Sequence, residues 1–190
     1  MEYYKLINWA TPVNELLSTI PVFESDIAYV RPLPIDVQHK IFNLLNIDIS
    51  HCNTYNVMLV RFPPNTHINI HSDKPVDIPE DRRISQAIIL PIENCSNLVW
   101  NWYEVADPSA VYYYGEEGSW KRVSFLQRWG SKLIESTMCD KPFISDIGTF
   151  HALENTSDKT ALAISIRLMP WSYQTIQTTE LPPIAGLTIL

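Results

Sequence analysis

Thr66-His67-Ile68-Asn69-Ile70-His71-Ser72-Asp73 alternates polar and apolar residues. On an extended chain this puts His67, Asn69, His71 and Asp73 on one side and Ile68 and Ile70 on the other. The stretch leaves the turn Pro63-Pro64-Asn65-Thr66, so it reads as the opening of a strand. Most half-buried strands turn their apolar face inward. A face with two histidines, an asparagine and an aspartate is too polar for a plain core and too particular for mere solvation. A two-sheet jelly roll with that face lining a polar pocket in its mouth reconciles the two demands.

Outward from this stretch the chain keeps a β character. Residues 56–62 are rich in Val, Leu and Met, residues 84–90 form a dense apolar run closed by Pro91, and residues 98–105 alternate around Trp100, Trp102 and Glu104. Residues 143–147 and 161–168 supply further strands. Upstream, residues 3–9 read as a short strand. Thr11-Pro12 reads as an N-cap with proline at the first helical position, opening a helix through about Ile20. A second helix over 35–45 carries Ile35, Val37, Ile41, Leu44 and Leu45 at mostly helical spacing. The expected class is mainly β with flanking helices (α+β) around a double-stranded β-helix core. One domain over 1–190 is expected, with a helical support in 1–50, the jelly roll in 55–168 and a tail in 169–190.

Composition narrows the function. With 46% hydrophobic and 18% charged residues the chain is an ordinary globular protein. A net charge of −7 argues against a phosphate-backbone partner, and five glycines in no nucleotide-binding pattern argue against a phosphate-cradling loop. No apolar run approaches the roughly 20 residues that span a bilayer. The start Met1-Glu2-Tyr3-Tyr4-Lys5 lacks a signal peptide's basic, apolar opening, and three widely spaced cysteines fit reduced thiols; both point to a cytoplasmic protein. No membrane partner is expected, and the oligomeric state is open.

His71, Asp73 and a distal His151 are the candidate metal ligands. Two imidazoles and one carboxylate cap one face of an octahedral metal and leave three positions open, the pattern of non-haem Fe(II) sites. An His-x-Asp triplet alone arises by chance in roughly one such chain in four. In the competing reading it is a turn in which Asp73 bonds local backbone. Context favours the metal: the triplet ends a strand, and His151 stands at another turn-to-strand junction about 80 residues on. His67 and Asn69 share the expected ligand face, as groups orienting His71 or as a cross-strand pair.

The chain resembles the 2-oxoglutarate/Fe(II)-dependent oxygenases, whose pattern is His-x-Asp/Glu, a distal His and a basic residue on the last strand. More narrowly, Pro64-Asn65-Thr66-His67-Ile68-Asn69-Ile70-His71, Arg83-Ile84-Ser85-Gln86-Ala87-Ile88-Ile89-Leu90-Pro91 and His151 with Asn155, Ser157 and Asp158 are similar to segments of aspartyl/asparaginyl β-hydroxylases. The likeness spans roughly residues 55 to 168. Asp73 departs from those hydroxylases, which lack the carboxylate ligand. Where the family has a basic residue about ten positions past the distal His, this chain has Ala161; Arg167 follows with the same strand parity.

The resemblance implies Fe(II) on His71, Asp73 and His151, with 2-oxoglutarate as cosubstrate. Arg83 and Arg167 rank equally as its anchor and Lys159 ranks behind, with Ser85 assisting. It implies hydroxylation of an unactivated C–H bond in a small-molecule or peptide substrate, an amino-acid side chain fitting best. Two other classes remain: a cupin-like metal enzyme without 2-oxoglutarate, and a non-catalytic jelly-roll binding or structural module. Most of the aromatics between the triplet and His151, Trp100, Trp102, Tyr112 to Tyr114, Trp120 and Trp129, read as packing, with a few as pocket walls. Residues 112–118 read as a mobile loop, and Asn155 as a turn stabiliser.

Overall fold

The computed structural model describes residues 3–9, 11–21, 27–49, 52–73, 86–115, 123–170 and 188–189. Two antiparallel sheets face each other. The larger takes β1 (Tyr4–Asn8), β2 (Tyr29–Pro32), β3 (Cys52–Phe62), β5 (Gln86–Glu93), β10 (Phe143–Asp146), β12 (Ala161–Pro170) and β13 (Thr188–Ile189) in the order β13-β1-β10-β5-β12-β3-β2. The smaller takes β4 (His71–Ser72), β6 (Leu98–Val105), β7 (Val111–Tyr114), β8 (Val123–Leu126), β9 (Ser131–Met138) and β11 (Phe150–Asn155) in the order β7-β8-β4-β11-β6-β9. This is a jelly roll, a double-stranded β-helix. Among the described residues no helix is long and apolar enough to cross a membrane.

Period-two alternation sorts the core into layers. Val60, Phe62, Ala87, Ile89, Phe143, Ala161 and Ala163 of the large sheet meet Leu98, Trp100, Trp102 and Leu153 of the small one between the sheets. The other face of the large sheet, with Val57, Leu59, Ile88, Leu90, Ile164 and Ile166, is covered by α1 (Val13–Thr19) and α2 (Ile35–Leu44) through Leu16, Ile41 and Phe42. Both faces of the large sheet are therefore apolar, which is why its strands read as continuous hydrophobic runs. A third cluster (Ile70, Tyr103, Ala110, Leu126 and Ala152) is formed by residues of the small sheet and the short 3-10 turn at Pro108–Ala110.

Several expectations need correction. Thr11 does not cap α1: Pro12 holds the N-cap position, no side-chain hydrogen bond caps the helix, and the Thr11 hydroxyl is buried without a partner among the described residues. Pro91 does not close β5, which runs to Glu93. It pairs with Ala163 where the β5–β12 register shifts, an irregularity that tolerates a residue with no N–H to donate. Residues 112–114, expected within a mobile loop, belong to β7; residues 116–118 lie outside the described residues. The first fifty residues, expected as a helical support with a short strand over 3–9, supply that strand as β1 and both helices, with β2 in addition, and β13, in the expected tail, pairs with β1.

Asn155 is more than a turn stabiliser. Its fully buried amide donates to the carbonyls of Phe62, Pro63 and Lys159 at 2.9, 3.0 and 2.7 Å, and its oxygen accepts from the Ser157 backbone and hydroxyl. One side chain thus ties the end of β3 to the β11–β12 turn. Two of these carbonyls, Pro63 and Lys159, also accept from the Thr66 and Ser157 hydroxyls, so the cost of losing the contact falls on the buried Asn155 amide, about 1 to 3 kcal/mol if left unpaired.

Candidate metal centre

The strand leading into the triplet is irregular, and the irregularity aims the ligand. His71 pairs with His151 across β4 and β11, while His67 makes an isolated bridge with Glu154. Three residues, 68 to 70, therefore face two, Ala152 and Leu153: a β-bulge. A one-residue slip inverts the faces of a strand. Ile68 packs into the layer between the sheets, Ile70 into the third cluster, and His71 points inward. The expected common face for His67, Asn69, His71 and Asp73 is thus overturned. His67 and Asn69 are exposed and lie outside the triad.

His71, Asp73 and His151 converge. One potential ligand atom from each lies within 4.8 Å of the others. The His71 Nε2 is 3.7 Å from Asp73 Oδ1, and the His151 Nε2 is 3.8 Å from Asp73 Oδ2. Each ring is oriented by backbone two residues behind it. With its proton on Nδ1, the His71 ring donates to the Asn69 carbonyl at 2.8 Å, and the His151 ring donates to the Thr149 carbonyl at 2.9 Å. That tautomer leaves each Nε2 lone pair toward the carboxylate, as a metal ligand requires. The Asn69 carbonyl, not its side chain, does the orienting.

The loop before His151 is stitched in place. Asp146 accepts from the backbones of Gly148 and Thr149 and from the Thr149 hydroxyl, and its own carbonyl accepts from the Trp102 indole at 2.9 Å. Ser72 donates to the Gly148 carbonyl at 2.7 Å, and the Asp73 backbone donates to the Ile147 carbonyl. Both ligand segments are thereby bound to each other. Trp100 closes the rear, its ring 5.6 Å from the His151 ring and inclined to it by 15°.

Electrostatics suit a cation. Burial, with the adjacent His71, lowers the His151 pKa to about 4 against the pull of Asp73, so the ring is neutral and able to ligate at neutral pH. Burial pushes the Asp73 carboxyl upward, but the Arg167 guanidinium and the two imidazoles outweigh this and hold it below the ordinary carboxylate range. The Arg167 Nη2 donates to Asp73 Oδ2 at 2.7 Å. The parity argument from Ala161 therefore holds: Ala161 and Ala163 face the inter-sheet layer, and Arg167 reaches the triad from the same strand face.

The other expected anchors fare differently. Arg83 and Ser85 lie outside the described residues. Lys159 is exposed in the turn at the end of β11 and β12 opposite His151 and Arg167, and is not brought to the triad. Two residues that sequence reasoning missed stand on the inward face. Ser165 is two positions before Arg167 on β12, and Ser145 lies between the inward Phe143 and Ile147. Among the described residues both hydroxyls are buried without a partner, as are the Arg167 Nε and the Trp100 Nε1. A serine amid alternating inward apolar residues was the available signal.

No protein-family model matches the chain, and no curated protein matches it. Among solved structures it is similar to a Pseudomonas putida prolyl-4-hydroxylase, at 7% identity, covering 90% of this chain and 94% of that one, with a TM-score of 0.42. A double-stranded beta-helix protein from Klebsiella pneumoniae is similar at 8% identity over 95% and 97%, TM-score 0.39. A cupin domain from Bordetella pertussis is similar at 14% identity over 77% and 98%, TM-score 0.31.

Proposed function

We propose that the chain is a 2-oxoglutarate- and Fe(II)-dependent dioxygenase that hydroxylates an unactivated C–H bond, with an amino-acid or peptide side chain as the favoured substrate. The observation that carries this reading is the triad itself: two imidazoles, each with its Nδ1 on a backbone carbonyl and its Nε2 toward the carboxylate of Asp73, with one potential ligand atom from each residue gathered within 4.8 Å. Borderline nitrogen donors with one hard oxygen suit Fe(II) and leave positions for further ligands.

The buried polar atoms support an oxygen-rich ligand beside the metal. Among the described residues, Arg167 Nε, Ser145 Oγ and Ser165 Oγ have no partner. A buried donor left unpaired costs about 1 to 3 kcal/mol, so three of them suit a ligand that brings acceptors. A dicarboxylate does so, and a guanidinium matches one of its ends as a fork. When bound, Fe(II) and 2-oxoglutarate would supply oxygen activation, coupling decarboxylation to succinate and carbon dioxide with transfer of an oxygen atom into a C–H bond. The protein's own part is positional. His71, Asp73 and His151 would hold the metal, Arg167 and the two serines would receive the carboxylate ligand, and Trp100 keeps water from the rear of His151.

A second reading, a metal enzyme that does not use 2-oxoglutarate, draws on one observation: the Arg167 guanidinium is already engaged by Asp73. Anaerobic loading with Fe(II), then addition of oxygen, separates the two. The proposal expects slow, iron-dependent conversion of 2-oxoglutarate to succinate even without a prime substrate. Iron bound by the triad with no succinate formed and no 2-oxoglutarate binding would leave the second reading standing.

A further inference from the structure

We propose that Trp100, Trp102, Tyr4 and Tyr3 form an electron-transfer path between the metal centre and the surface, which returns an electron to the site when oxygen is activated with no substrate to oxidise. This rests on the reading above, since a redox-active metal on His151 is what the path would serve.

The row of rings begins on a ligand. The Trp100 ring lies 5.6 Å from that of His151 at 15°, and Trp102 lies 6.3 Å from Trp100 at 29°. Tyr4 stacks on Trp102 at 5.4 Å and 9°, and Tyr3 stacks on the same indole at 6.4 Å and 28°. Every separation falls within the contact range of stacked aromatic rings, so each step passes directly from ring to ring. Indole and phenol are also among the side chains that give up one electron most readily. Phe143 stands edge-on to both Trp100 and Tyr4, but its phenyl ring is far harder to oxidise, so it is a wall and not a stop.

Aromatic contacts in a core are ordinary packing. This row differs because its surroundings change in one direction. An indole that has lost an electron is a cation, and a buried cation is favoured only where an acceptor faces it. Trp100 is buried and its N–H meets no acceptor among the described residues. Trp102, fully buried, donates to the Asp146 carbonyl at 2.9 Å. Tyr3 and Tyr4 are half-buried, so a phenol there can release its proton to water and end as a neutral radical. Positive charge therefore runs downhill from the ligand outward, and the electron runs inward. Asp146 keeps the parts in register: its backbone N–H donates to the Tyr3 carbonyl at 2.8 Å, while Tyr4 pairs with the adjacent Ser145. A site that activates oxygen needs such an exit when no substrate is bound, because the alternative is oxidation of its own ligands.

The test loads the full chain with Fe(II) anaerobically and adds hydrogen peroxide. Each peroxide takes one electron from Fe(II), which ends as Fe(III), and one from a tyrosine; the phenol proton and one proton from solvent complete two waters. Freeze-quench electron paramagnetic resonance reads the radical, and peptide mass spectrometry reads which residues are oxidised. A tyrosyl radical is expected, with oxidation at Tyr3 or Tyr4 and little at Trp100. Tyr3→Phe combined with Tyr4→Phe should abolish that radical and move oxidation to Trp102 and Trp100, with iron affinity unchanged. Trp102→Phe should stop oxidation at Trp100. The tyrosine variant decides the matter even if Trp102→Phe fails to fold, because it keeps both rings and removes only their hydroxyls. Tyr112→Phe, which removes an exposed phenol outside the row, should leave the radical in place. A radical that survives loss of both tyrosines, oxidation confined to Trp100 and the ligands, or iron oxidised with no tyrosyl signal overturns the inference. A tyrosyl radical in a chain that makes no succinate would instead count against 2-oxoglutarate alone, because peroxide oxidises the iron without it. Iron that fails to bind removes the seat of the oxidant and overturns both.

Discussion

Asp73→Ala is expected to lower affinity for Mn(II) or Fe(II) by roughly 10³-fold or more, about 4 kcal/mol, while the chain stays folded. Asp73 is the one carboxylate in the three-residue cluster, and its two oxygens flank the two histidine nitrogens at 3.7 and 3.8 Å. Its loss takes away the only negative ligand and leaves a guanidinium facing the incoming cation. Equilibrium dialysis with metal analysis reads the affinity, and urea unfolding reads the fold. Unfolding should shift by about 2 kcal/mol, because Arg167 loses its partner at a site only 17% exposed. Unchanged metal content in the variant would mean that the metal, if any, is held elsewhere.

Arg167→Met is expected to move two affinities in opposite directions. In the free protein Arg167 and Asp73 neutralise each other, so a metal must share Asp73 with a cation and a carboxylate ligand must share Arg167 with an anion. Removing the guanidinium should tighten Mn(II) binding about tenfold in the absence of 2-oxoglutarate and weaken 2-oxoglutarate by roughly 10²-fold. In the wild-type chain each ligand frees the partner of the other. Metal and 2-oxoglutarate should therefore bind with positive coupling of about 1 to 3 kcal/mol, equal whichever is titrated first. Calorimetric titrations of each, with and without the other, measure it. If Arg167→Met leaves both affinities and their coupling untouched, Arg167 is a structural counter-ion only.

The triad was legible because its chemistry sits in side chains at definite spacing, and because β12 keeps strict alternation from Ala161 to Arg167. β6 was legible over its whole length for the same reason. What escaped was whatever the backbone decides. The bulge at 68–70 has no residue signature, since Ile68-Asn69-Ile70 reads as regular alternation whether or not an extra residue is inserted. His67 and Asn69 were therefore assigned to the wrong face. The groups that orient both histidines are carbonyls, which any residue at 69 or 149 supplies. Three consecutive tyrosines at 112–114 have no alternation to betray β7. The buried Ser145 and Ser165 were passed over because single hydroxyls in apolar strands are common, and only their lack of partners marks them.

The stacking of Trp100 on His151 has an optical consequence. Trp100 is 3% exposed with an indole nitrogen that finds no acceptor among the described residues, so its emission should be strongly blue-shifted, unlike that of Trp129 at 66% exposure. A paramagnetic ion on His151 would lie against a ring 5.6 Å from that fluorophore. Metal occupancy should then be readable as quenching of the blue component while the red component stays constant, and Trp100→Phe should silence most of the signal. The residue that closes the rear of the site is also its intrinsic, label-free reporter.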